Sequence, residues 1–103
     1  MAAYLIASYD VSDPDEFAKY NPGSLPVIMQ TIQKHGGKVL AAGGPAEWFA
    51  GDRHALVMIE FPTVDAAKAW EDDPDYAPAK AIRVASTTNR VEVITAAFVP
   101  PSA

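Results

Sequence analysis

His54-Ala55-Leu56-Val57-Met58-Ile59-Glu60-Phe61 reads as the clearest strand in the chain. Leu56 to Ile59 are apolar without a break, and an apolar run of strand length implies burial on both faces. Pro62 stops the strand, because proline cannot continue a ladder. Thr63 can then cap a helix through Trp70, with Asp65 favourable in its first turn. Ala66, Ala67 and Ala69 add helix propensity. Upstream, Gly51-Asp52 predicts a turn, Glu47-Trp48-Phe49 a strand extension, and Gly43-Gly44-Pro45 a second turn after a short strand, Val39 to Ala42.

Further out, Tyr4 to Val11 predicts a strand with two unlike faces. Leu5, Ala7, Tyr9 and Val11 form an apolar face; Tyr4, Ile6, Ser8 and Asp10 form a mixed one. Asp13-Pro14-Asp15-Glu16 is a helix start with an N-cap, a proline at the first helical position and a capping box. Asn21-Pro22-Gly23-Ser24 breaks that helix, since proline disfavours helical geometry in the residue before it. Ser24 is the expected cap of a second segment, Leu25 to His35, which Gly36-Gly37 ends. Asp73-Pro74 restarts the chain into a helix through about Val84, and Thr88 to Phe98 is the last strand. Pro100 to Ala103 reads as a frayed tail.

The order β-α-β-β-α-β predicts an α+β, ferredoxin-like domain over residues 1–99: one antiparallel sheet with helices on one side. Helices can cover only one sheet face, yet the strand ending at Phe61 is apolar on both. A second copy of the chain is the expected cover, because a large exposed apolar face is an association site.

Composition narrows the function classes. The 103 residues include 8 Lys plus Arg and 13 Asp plus Glu, a net charge of -5, so nucleic acid and anionic membranes are poor partners. There is no cysteine, which removes disulfides, thiolate nucleophiles and cysteine metal sites. With two histidines and no paired metal-ligand spacing, neither a metal nor another cofactor is expected. No apolar run has the length of a membrane span, and Met1-Ala2-Ala3-Tyr4 lacks the basic start of a signal peptide, so the expected location is cytoplasmic. A phosphate loop and a Gly-x-Ser-x-Gly elbow are both missing.

His35-Gly36-Gly37-Lys38-Val39-Leu40, Gly43-Gly44, Glu60-Phe61-Pro62, Asp73-Pro74-Asp75-Tyr76 and Arg83 occur in order over nearly the whole chain. In these motifs the sequence resembles the bacterial domain of unknown function thirteen-thirty, a family of the dimeric α/β-barrel superfamily. The resemblance implies that fold and a homodimer. Related families include quinone-forming antibiotic-biosynthesis monooxygenases, muconolactone isomerases, stress-responsive barrel proteins and haem chlorite dismutases, so no single reaction follows from it. Trp48-Phe49-Ala50-Gly51-Asp52, the Asn21 to Ser24 break and the proline-rich tail depart from the family pattern.

The ionisable and aromatic candidates each carry two readings. His35 is a general acid or base beside a pocket, or a cation at a helix C-terminus. Glu60 is a carboxylate near the same cavity as Asp10, or both are strand-end charges, solvated or paired with Lys or Arg. Tyr20, Trp70, Tyr76 and Arg83 come from the helical layer. Tyr76 and Arg83, seven positions apart, can share a helix face and hold a carboxylate or enolate. Alternatively, Trp70 and Tyr76 plug the core and Arg83 bridges to Asp72, Asp73 or Glu92. The functional reading is a cofactor-independent enzyme acting on a small aromatic or unsaturated acid, by isomerase, cyclase or monooxygenase chemistry. His35, Glu60 and Tyr76 then move protons, while Tyr20, Trp70 and Arg83 bind substrate in a cavity between sheet and helices. The alternative is a dimer that binds a metabolite, or serves in a stress response, without catalysis.

Overall fold

The computed structural model describes residues 2–42, 47–51 and 55–101. Eight elements follow in order: β1 (Ala3–Val11), α1 (Pro14–Phe17), α2 (Leu25–Lys34), β2 (Lys38–Ala41), β3 (Ala55–Phe61), α3 (Val64–Glu71), α4 (Ala77–Ser86) and β4 (Thr87–Ala96). The strands form one antiparallel sheet in the order β2-β3-β1-β4, with the helices packed on it. This is the expected α+β, ferredoxin-like arrangement. Among the described residues, no helix is long and apolar enough to cross a membrane. The expected turns at Gly43-Gly44-Pro45 and Asp52, the start of β3 at His54, and the end of the tail at Ser102-Ala103 lie outside the described residues. Pro100 and Pro101 belong to no helix or strand.

Alternation along β1 sorts the sheet into two faces. Ala3, Leu5, Ala7 and Tyr9 are buried under the helices and pair with Phe61, Ile59, Val57 and Ala55 of β3. With Ile28, Ile32, Ala67, Trp70, Tyr76 and Ala79 from the helices, Leu5, Ala7, Ile59 and Phe61 make the core. Ile6, Leu56 and Met58 share the opposite face, are half-buried, and stand beside the exposed Val91 and Val93. The doubly apolar character of β3 therefore has a physical counterpart: one face is the core and the other is open.

Most helix signals operate as expected. The Asp13 carboxylate accepts from the Glu16 amide (3.1 Å), and Thr63 Oγ1 accepts from the Ala66 amide (3.0 Å). Gly36, at φ 76°, ends α2 in the left-handed region, and the Gly37 amide donates to the Ile32 carbonyl (2.8 Å).

Four local expectations are corrected. The Asp13–Glu16 box is half made: the Asp13 amide donates to the Ser86 carbonyl, and the Glu16 carboxylate holds Lys19 at 2.8 Å. Ser24 makes no side-chain cap; its hydroxyl donates to the Lys19 carbonyl (2.7 Å), closing the break instead. Glu47 to Phe49 form no strand. The helix expected from Asp73-Pro74 starts only at Ala77 and runs on to Ser86, because Asp73 folds the chain into a turn first.

Candidate functional site

A cavity of about 290 Å³ lies between the sheet and the helical layer. Leu5, Ala7, Val57 and Ile59 form its floor, and Leu25, Ile28 and Ile32 of α2 form one wall. The break from Ala18 to Ser24 has a direct role here. It turns the chain between α1 and α2, so Phe17, Tyr20 and Asn21 border the cavity.

Polar chemistry is gathered on one side. The Tyr20 and Tyr76 hydroxyls are 2.9 Å apart. The Arg83 guanidinium stands beside Tyr76 and forms an ion pair with Glu92 of β4. Arg83 is 4% exposed, and its Nε is buried without a hydrogen-bond partner. The Trp70 ring stacks on Tyr76 with centroids 4.2 Å apart and planes at 25°. Its indole N–H donates to Thr31 Oγ1 (3.0 Å), which itself donates to the Ile28 carbonyl (2.8 Å), so the indole is fixed against α2. Glu71, also on the lining, pairs with Lys80 at 2.8 Å.

These surroundings set the protonation states. Burial pushes the Tyr9 hydroxyl up to about 12. Burial raises Tyr20 as well, reinforced by Tyr76, and raises Tyr76 against the opposing influence of Arg83. Burial works against the charge of Arg83, but Tyr76, Glu92 and Tyr20 outweigh it, and the guanidinium is held charged. The cluster is thus a set of neutral hydroxyl donors around a fixed cation.

Tyr20, Trp70, Tyr76 and Arg83 all line the cavity, as their positions in the sequence suggested. His35 and Glu60 do not. His35 closes α2, where its Nε2 lies 2.7 Å from the Asp73 carboxylate. Glu60 alternates with the core residues Ile59 and Phe61, pairs with Tyr4 and Lys38, and so falls on the open face. Asp10 shares that face but lies six residues along β1 from Tyr4, roughly 20 Å away at about 3.3 Å per residue. Of the two readings, the one that puts Asp10 and Glu60 near one cavity is not met: neither lines it.

Tyr9 and Glu71 were missed as lining residues, and Glu92 was foreseen only as a bridge for Arg83. Tyr9 was legible in the alternation of β1, which puts it on the face of Leu5 and Ala7. Glu92 reaches the site through its register with Ala7, a pairing between distant strands. Arg83 does bridge to Glu92, one of its three anticipated partners, and lines the cavity as well.

The chain belongs to the family described as Domain of unknown function (DUF1330), whose model matches residues 2–97. No curated protein matches it. Among solved structures it is similar to a protein of unknown function from Rhodopseudomonas palustris, at 19% identity and a TM-score of 0.71, covering 96% of this chain and 84% of that one. A dimeric ferredoxin-like protein of unknown function from Jannaschia sp. CCS1 is 11% identical with a TM-score of 0.72, covering 94% of this chain and 100% of that one. SnoaB, a cofactor-independent oxygenase from Streptomyces nogalater, is 12% identical with a TM-score of 0.62, covering 96% and 95%. At these identities the likeness is one of fold.

Proposed function

We propose that the chain works as a homodimer in which each subunit holds one small, largely apolar molecule in the cavity between sheet and helices. There Tyr76, with Tyr20, acts on an oxygen of that molecule by proton transfer of the isomerase or cyclase type. The observation that carries this reading is the linked hydroxyl pair of Tyr20 and Tyr76, backed by Arg83, on a largely apolar cavity. A tyrosine that keeps its proton can lend it to a carbonyl oxygen as the neighbouring carbon gives its own proton to solvent water; the enol hands the tyrosine proton back as that carbon takes up a proton from solvent. Arg83 steadies the tyrosine oxygen while the proton is shared. The proposal keeps Tyr20, Trp70, Tyr76 and Arg83 and leaves out His35 and Glu60, which do not line the cavity.

The open sheet face supports the dimer. Ile6, Leu56, Met58, Val91 and Val93 form an apolar surface that a second copy can cover, closing two sheets into a barrel. The dimeric relative from Jannaschia is consistent with this.

The fold likeness to SnoaB favours a second reading, oxygenation of a small phenol. In that case dioxygen converts the phenol to a quinone and water, with the substrate itself supplying the electrons.

The test is hydrogen exchange in D2O, with small aromatic ketones as substrates and deuterium incorporation beside the carbonyl as the readout. The wild type should accelerate exchange, and Tyr76→Phe should lose on the order of a hundredfold of the acceleration while staying folded. Binding without exchange would leave a binding protein; absence of both would end the pocket reading. Sedimentation should give a dimer for the wild type and not for Met58→Asp, since an unpaired charge between packed sheets is strongly unfavourable. An 11.0 kDa species alone in the wild type would overturn the assembly.

A further inference from the structure

We infer that Glu92 sets the charge of the ligand: by holding Arg83 it makes the cavity a site for a neutral molecule bearing a carbonyl-type oxygen and turns carboxylates away. This rests on the pocket reading above and adds the ligand class to it.

Among the described residues, the charged ones on the cavity lining are Arg83, Glu92 and Glu71. Arg83 is paired with Glu92, and Glu71 with Lys80. Among the described residues, the lining therefore offers no cation without its own anion. Against these described residues an entering carboxylate has two choices: to displace Glu92, or to sit unpaired beside two other carboxylates in a largely apolar cavity. Either is costly, because a buried charge needs a partner. A ketone, aldehyde or lactone carries no such penalty.

Tyr20 and Tyr76 have two hydroxyl hydrogens and use one between them, which leaves one for an outside acceptor. The Arg83 Nε hydrogen has no partner within the protein, although the residue is 4% exposed. A buried donor left unmatched is unfavourable; this one is shut off from water, so a neutral acceptor on the ligand meets it once the Arg83 side chain shifts toward the cavity. Behind these donors the buried Trp70 and Tyr76 rings, stacked on each other, stiffen the wall that carries them.

Glu92 is also the member of the pair that can be altered. Its side chain is 34% exposed at the edge of the sheet, against 5% for Arg83. Neutralising it frees the Arg83 charge while leaving the core in place.

The experiment uses two probes of nearly the same shape, 2-acetylnaphthalene and 2-naphthoate, in NMR titrations at neutral pH. The wild type should bind the ketone at least tenfold more tightly than the acid, and the Arg83 Nε–H resonance should move on ketone binding. Glu92→Gln should reverse the preference. The wild-type ratio needs no variant, so a Glu92→Gln protein that failed to fold would not shelter the idea. If the wild type binds 2-naphthoate as tightly as the ketone, or if folded Glu92→Gln keeps the wild-type preference, the charge assignment is wrong and the pocket stands. If neither probe binds either protein, the pocket reading falls and this inference with it.

Discussion

Asp73 and Arg83 are each 4% exposed, yet the protein treats the two buried charges in opposite ways. Asp73 is saturated. Its Oδ2 holds Lys34 at 2.8 Å and His35 at 2.7 Å, and its Oδ1 accepts from the Asp75 amide at 2.8 Å. Its carbonyl accepts from the amides of Tyr76 and Ala77. The pairing with Lys34, helped by His35 and the Asp75 amide, holds its carboxyl far below the usual carboxylate range. Arg83 has one carboxylate partner and a buried Nε with none, and it borders a cavity. A buried charge with a partner on every oxygen fastens elements together. One whose matching is incomplete next to open space is a place for a ligand. By this measure His35 belongs to the fastening between α2 and the turn before α4.

The largest expected effect follows from the saturated side. Asp73→Ala should lower Tm more than Arg83→Met or Tyr20→Phe, because it removes the common partner of Lys34, His35 and the Asp75 amide together. A Tm within 2 °C of wild type (about the measurement scatter) would break the contrast. Next comes acid sensitivity. A carboxyl whose folded pKa is depressed contributes stability that is complete above its unfolded value of about 3.9 and is lost as pH falls through the folded one. The wild type should therefore lose stability on acidification below roughly pH 4–5, and Asp73→Asn should have a lower plateau and a shallower acid limb. Parallel limbs in the two proteins would show that another group governs acid unfolding.

On the unsaturated side the signs separate. Arg83→Met should weaken a bound ketone by about 1–3 kcal/mol, read by titration, as a charge-assisted hydrogen bond is lost. Its effect on Tm should be smaller than that of Asp73→Ala, since Glu92 can turn to water. A Tm loss equal to that of Asp73→Ala with unchanged binding would make Arg83 a second fastening. The smallest effect belongs to Tyr20→Phe. It removes one hydroxyl from a neutral pair and should cost about 0.5–1.5 kcal/mol of stability by urea denaturation.

Much of the fold was legible because its signals are local. The caps at Asp13 and Thr63 and the glycine stop at Gly36 depend on neighbours within a few residues, and each operates as the sequence predicts. Ser24 failed as a cap for an equally local reason: the tight break gave its hydroxyl a nearer acceptor, the Lys19 carbonyl. Part of the cavity lining was legible too. Tyr20, Trp70, Tyr76 and Arg83 fall next to chain breaks or on the inner face of a helix, and such positions face the space between layers.

The order of strands and helices, the alternation that gives β1 one buried face, and the open apolar face of β3 were determined by the sequence alone. They depend on periodicity and on residues adjacent in the chain. The partners of charged groups were decided only by the tertiary structure. Whether His35 meets a pocket or Asp73, whether Glu60 faces core or solvent, and whether Arg83 is free or held by Glu92 depend on register between strands and on loops that bring distant residues within about 3–4 Å. Coulomb and hydrogen-bond energies change steeply over that distance, so a chemical role cannot be read before the packing that sets it.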